Sequence, residues 1–244
     1  VSYESEHHNT HISQSFNEEL EQIRTELLTM GGVVERQLSD AVNALVGGDT
    51  DQAEQALKID SVINDMELMI DEQCTLIIAR RQPAAADLRL IISVSKATND
   101  LERIGDETSR ICRYAMELAS EGKNMQGYQE VRHIGNLVRD MLKDGLTAFA
   151  RSDAELAYKV AKQDKEVDSE YRTAMRSLMT YMMEDPRHIS SVMNVIWVLR
   201  SLERIGDHAR NLAEHLIYLV SGTDVRHSSL KEIKKTVKRV EERQ

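Results

Sequence analysis

The chain has 244 residues and a formal net charge of −10, from 31 Lys and Arg against 41 Asp and Glu. At 41% hydrophobic and 30% charged it can bury a sizeable core without staples. Two prolines, 11 glycines and 4% aromatics rule out a β-sandwich or barrel with its Gly/Pro turns, and the acidic balance argues against a nucleic-acid surface.

In chain order, Val1–Thr10 is polar, with Glu and His, and does not read as a signal peptide. A first helix is predicted from about Ser13 to Val46, ending at Gly47-Gly48. A second runs from near Asp51 to the turn before Gln82-Pro83. The third begins after Pro83 and passes Leu118. Its seam is Leu90, Val94, Ala97, Leu101, Ile104, Thr108, Ile111, Ala115 and Leu118, whose alternating steps of four and three are coiled-coil spacing.

Then the chain repeats. Leu101-Glu102-Arg103-Ile104-Gly105-Asp106 recurs unchanged as Leu202-Glu203-Arg204-Ile205-Gly206-Asp207. Pro83 has a counterpart in Pro186, and the Gly48-Asp49 turn has one in Ser152-Asp153. Leu202, Ile205, Ala209, Leu212, Leu216 and Leu219 restate the seam. The expected fold is all-α: two tandem antiparallel three-helix bundles at 12–121 and 125–221, joined near Gly122-Lys123-Asn124. Residues 222–244 form a tail, where Leu230, Ile233, Val237 and Val240 among six Lys and Arg spell a short basic amphipathic helix. It suits docking on the acidic body or contact with a membrane surface or partner.

No apolar run reaches the length of a membrane span, so a cytoplasmic protein is expected. Cys74 and Cys112 lie 9 residues before and 29 after Pro83. In an antiparallel pair their heights differ by roughly 30 Å, so two reduced, core-facing thiols are expected.

The chemistry lies in the carboxylates. Glu102 and Asp106, like Glu203 and Asp207, are four residues apart and share a helix face just off the seam. Two like charges so placed repel, and a hard cation resolves the conflict at or near the surface. Asp164 and Asp168 repeat the spacing and sit level with Glu203 and Asp207 about Pro186; Asp60 and Asn64 sit level with Glu102 and Asp106 about Pro83. The rotational phase of the second helix stays open at this point. Asp65, Glu67 and Glu35 are neighbours that could complete a site, and Arg103 and Arg204 offer neutralisation without metal. Asn64 leaves the first stripe one carboxylate short, which predicts weaker cation binding there. Gly105 and Gly206 are costly inside a helix and predict a close neighbour, a crossing helix or a ligand.

Other signals are bland. His208 and His215 read as exposed helix residues rather than ligands. The methionines at 175, 179, 182 and 183 read as core filler first and an adaptable partner surface second. Glu4-x-x-His7 has di-iron-like spacing but falls in the polar N-terminus. A metal-dependent phosphohydrolase and a metal-storage bundle compete with a regulatory adaptor, but no positioned nucleophile or general base is visible.

The duplicated hexapeptide, with Arg80-Arg81-Gln82-Pro83 before the first copy, Glu184-Asp185-Pro186-Arg187 before the second and Gly222-x-Asp224-Val225-Arg226-His227 after it, resembles the PhoU family over about residues 11–230. The resemblance implies a cytoplasmic, homodimeric, non-enzymatic regulator of phosphate uptake. It implies partners in the ATPase subunit of the phosphate ABC transporter (PstB-like) and a sensor histidine kinase (PhoR-like), membrane association only through those partners, and repression of the starvation regulon when phosphate is ample. It also implies metal clusters on the bundle surface. These map onto Glu102, Asp106, Glu203 and Asp207, with Asp60, Asp164 and Asp168 as companions, and iron, zinc, manganese or magnesium as the candidate ions.

Overall fold

The computed structural model describes residues 3–119 and 127–242, with side chains from residue 14 onward. The expected linker at 122–124 and the side chains of Glu4 and His7 lie outside the described residues. Helix α1 spans Tyr3–Gly47, α2 Thr50–Lys58, α3 Asp60–Arg81 and α4 Ala85–Ala119. Helix α5 spans Tyr128–Arg151 and α6 Ala154–Glu184; a 3-10 turn at Pro186–His188 leads into α7, Ile189–Ser221. Helix α8, Leu230–Glu241, closes the chain. The described residues contain no strand.

In the first half α1, α3 and α4 pack mutually; in the second α5, α6 and α7 do the same. The all-α duplicated architecture is therefore the observed one. The turns repeat in atomic detail. Asp49 caps α2 by accepting from the Gln52 N–H at 2.9 Å, and Asp153 caps α6 by accepting from the Leu156 N–H at 2.9 Å. One difference separates the halves. The predicted second helix is broken at Ile59, whose N–H bonds back to the Ala56 carbonyl in a tighter turn, whereas α6 runs through.

The halves do not stand apart. Helix α4 makes its most extensive contact with α7, and α1 meets α5. One continuous apolar core runs through both bundles. This explains a burial pattern the seam did not predict. Asp100 and Glu107 on α4, and Ser201 and His215 on α7, are buried although they lie off it. Each of these helices has two buried faces, one inside its own bundle and one against the other bundle.

The helix glycines face crossing helices. A Cβ on Gly105 would stand 3.2 Å from Ile63 Cδ1, and one on Gly206 3.3 Å from Val167 Cγ1. Ile63 and Val167 are equivalent positions on α3 and α6, so the neighbour is a helix and no ligand is needed to explain either glycine. Cys74 and Cys112 are both free and buried, and burial pushes each thiol up to about 12. Met175 and Met182 pack on the core, but Met179 and Met183 are exposed. The tail helix starts with a capping box between Ser229 and Glu232 and buries Ile233 and Val237 against the body, leaving its lysines outward.

Candidate functional site

The helices bring each pair of carboxylate stripes face to face. In the first half, Asp60 and Glu67 on α3 act on Glu102 together with Asp106 on α4. Burial raises the Glu102 carboxyl above its ordinary range; Asp106 and Glu67 raise it further, against the pull of Arg103 at 3.7 Å. A relay fixes Asp60. Fully buried Gln37 on α1 donates to Ser109 Oγ at 3.3 Å, and Ser109 donates to Asp60 Oδ1 at 2.7 Å. Of the other neighbours read from the sequence, Asp65 faces solvent, and Glu35 lines a separate groove with Arg139 and Lys143.

In the second half, Asp164 and Asp168 on α6 face Glu203 and Asp207 on α7. Burial raises both Glu203 and Asp207, and the neighbouring acids add to it. Here guanidinium groups intervene. Arg210 reaches Asp164 at 2.9 Å, Arg172 reaches Asp168 at 3.3 Å and Arg200 reaches Glu203 at 2.8 Å. The second oxygen of Glu203 is buried without a partner. The arginine inside the motif, Arg204, turns instead to Glu107 on α4.

These positions can be aligned through the internal repeat. Arg172, Arg200 and Arg210 correspond to Leu68, Asn99 and Ser109. Each of these three arginines is thus a neutral residue in the first half. Glu67, whose counterpart is Tyr171, restores the carboxylate that Asn64 removes. Although Asn64 removes one acid, the first stripe is the less neutralised of the two. Among the described residues, no three His, Cys, Asp or Glu side chains converge on a point that could hold a metal ion as they stand. The donor sets remain all-oxygen and anionic, which suits a hard cation.

A further polar cluster joins the bundles. Asp100 on α4 is 9% exposed and accepts from three groups of α7: His208 Nδ1 at 2.7 Å, His215 Nε2 at 2.8 Å and Asn211 Nδ2 at 3.1 Å. Burial alone would raise its carboxyl, but the hydrogen bonds from His208, His215 and Asn211 outweigh it and hold the group at about 2. With Asp100 ionised, the imidazole nitrogens facing it carry the protons. The sequence reading of both histidines as exposed is corrected: His215 is buried and His208 half-buried, because α4 of the other bundle covers them. Their spacing of seven, with Asn211 between, puts all three on one helix face, but nothing in the sequence placed Asp100 opposite. At the other end of the same contact, Ser201 donates to Glu107 at 2.9 Å, and Arg204 pairs with that carboxylate. Ser201 and Glu107 are the repeat equivalents of Asp100 and His208, so an approximate two-fold axis relates the two clasps.

Comparison with known proteins agrees with the fold. A family model described as the PhoU domain matches twice, over residues 27–115 and 131–216. The phosphate-specific transport system accessory protein PhoU homolog of Pseudomonas aeruginosa is 62% identical over 227 residues, 93% of this chain and 94% of that protein. PhoU of Escherichia coli (strain K12) is 48% identical over 219 residues, 90% of each. The crystal structure of PhoU from Pseudomonas aeruginosa superposes with a TM-score of 0.84, covering 85% of this chain and 100% of that one. That of the phosphate transport system regulatory protein PhoU from Streptococcus pneumoniae does so at 0.79 and 29% identity, covering 86% and 99%. Two copies of one domain, the same tandem helical fold and high identity over nearly the whole chain place this protein in the PhoU family.

Proposed function

We propose that this chain regulates phosphate uptake as a non-enzymatic adaptor. It sits in the cytoplasm as a homodimer, contacts the ATPase subunit of the phosphate ABC transporter and a sensor histidine kinase, and represses the starvation response when phosphate is ample. The observation that carries this reading is the near full-length similarity to accessory proteins of phosphate-specific transport systems. No described helix is long and apolar enough to cross a membrane, so contact with a membrane transporter runs through partners in this reading.

Metal has a defined place in the proposal. The first stripe, Asp60, Glu67, Glu102 and Asp106, would hold a divalent or ferric ion, which would relieve carboxylate repulsion and bridge α3 to α4. The second stripe, Asp164, Asp168, Glu203 and Asp207, would bind more weakly because Arg172, Arg200 and Arg210 already supply the countercharge. The residues serve binding and orientation.

The test is a titration of purified protein with the transporter ATPase and the kinase cytoplasmic region, beside a phosphoester hydrolysis assay with added metal. Binding to both partners without turnover is the expected result. Metal-dependent turnover, or no partner binding, would sink the adaptor reading.

A further inference from the structure

We propose that the cleft between the two bundles binds a hydrogen phosphate group, carried by free phosphate or by a phosphomonoester. The cleft is about 900 Å³ and opens between α3, α4, α7 and the loop that joins α7 to α8. This goes beyond the adaptor reading, and a failure to bind would leave that reading standing.

Most of the acids in the walls are already engaged. Asp71 accepts from Ser95 at 2.7 Å, Asp100 is held by its two imidazoles, and Glu214 accepts from Arg210 at 2.9 Å. The basic side chains are less fully engaged. Lys96 makes no ion pair among the described residues; its Nζ lies 6.0 Å from the centre of the Tyr218 ring. His227, in the loop, likewise has no ion pair among the described residues. Arg204 uses Nη1 on Glu107, which leaves other N–H groups of its fork. Arg226 is anchored at the lip by Asp224. An oxyanion entering here meets Lys96, which has no ion pair among the described residues, and the spare N–H groups of Arg204, donors that make charge-assisted hydrogen bonds.

The same walls hold acceptors. Each imidazole spends one nitrogen on Asp100, and in the neutral ring the other nitrogen, His208 Nε2 or His215 Nδ1, keeps a lone pair. Free hydrogen phosphate carries a P–O–H at neutral pH that can donate to such an acceptor, and a phosphomonoester carries one in its monoanionic form. Sulfate at neutral pH carries none, and a site built to accept a hydroxyl proton rejects the analogue without it. Donors and acceptors together therefore select phosphate over sulfate. Asp100 acts as the positioning residue, because it decides which edge of each ring faces the cleft.

The experiment is isothermal calorimetry on the full chain with inorganic phosphate, AMP and sulfate. A metal chelator is present so that ions on the carboxylate stripes cannot bridge the ligand. Phosphate or AMP should bind, whichever is tighter naming the source, with a preference over sulfate of roughly 100-fold. Lys96→Met should weaken that binding roughly 10- to 100-fold. His227→Asn, which tolerates the left-handed backbone at φ 62°, should weaken it less. Lys58→Met, at an exposed pair with Glu54 outside the cleft, should leave it unchanged. Bound phosphate should also move the His208 and His215 imidazole resonances, and circular dichroism checks that each variant is folded. No binding of phosphate or AMP, equal binding of sulfate, or an unchanged affinity in folded Lys96→Met would overturn the proposal.

Discussion

The two carboxylate stripes carry the same hexapeptide in the same place on the same fold, yet their surroundings differ. In the first half Asp60 receives a hydroxyl from Ser109; at the equivalent point of the second half Asp164 receives a guanidinium from Arg210. Arg200 and Arg172 complete the neutralisation where the first half has Asn99 and Leu68. Duplication preserved the motif acids and the Asp60/Asp164 pair, and substitution one or two turns away changed their countercharge. A hydroxyl leaves a carboxylate's charge in place, whereas a guanidinium at hydrogen-bond distance cancels it. The α4–α7 contact diverged in the same manner: one end is an acid held by two histidines and an asparagine, the other an acid held by a serine and two arginines, Arg110 and Arg204.

The largest expected effect lies in that contact. Asp100→Ala leaves buried His215 and half-buried His208 and Asn211 without their acceptor. It should cost about 3 kcal/mol in urea unfolding, while Glu107→Gln, which keeps an acceptor for Ser201, should cost clearly less. Equal losses at the two ends would mean that the divergence has no energetic weight.

The acid limb should show the same carboxyl. Its depressed value means that Asp100 contributes stability that is full above the ordinary aspartate range and is lost as pH falls toward about 2. On the order of 2 kcal/mol should disappear over that window. In Asp100→Asn this part of the acid unfolding should flatten; a profile identical to wild type would refute the assignment.

The stripes can be interconverted. Arg210→Ser with Arg200→Asn rebuilds the surroundings of the first stripe around the second and should raise Mn²⁺ affinity there roughly tenfold. Ser109→Arg should weaken the first stripe in return. Calorimetry on both variants decides. An unchanged pair of affinities would show that the arginines do not set cation binding.

The smallest effect is on metal-free stability. Glu102→Gln with Asp106→Asn removes repulsion and should raise stability at neutral pH by a few tenths of a kcal/mol. Because the Glu102 carboxyl is raised, its protonated form already favours the fold below the ordinary glutamate range, and that benefit is lost as pH rises through the raised value. The gain from the double change should therefore shrink as pH is lowered. Thermal unfolding in chelator at two pH values checks this, and a gain that grew on acidification would contradict the direction of the shift.

Much of the architecture was legible in the chain because local rules carried it. The four-three seam of α4 gave its bundle-facing side, Pro83 and Pro186 marked the hairpin turns, and the caps at Asp49 and Asp153 follow from residue type and position alone. The level of the stripes followed from rise per residue. The kink at Ile59 did not, because no breaker marks it.

What the sequence by itself determined is therefore one-dimensional: helix period, helix ends, the repeat and the spacing of acids along one helix face. Tertiary structure decided everything that depends on which faces meet. Packing α4 on α7 buried Asp100, Glu107 and His215, off-seam residues that a single amphipathic stripe assigns to solvent. It put Arg204 on the other bundle's Glu107 rather than on its own motif. It also set Glu67 beside Glu102 and Arg210 on Asp164, so the countercharge of each stripe came from across a helix pair. The physical reason is range. Helix period is fixed by backbone hydrogen bonds four residues apart, whereas a carboxylate's charge state is fixed by whatever lies within a few ångströms, and in a bundle most of that comes from distant sequence.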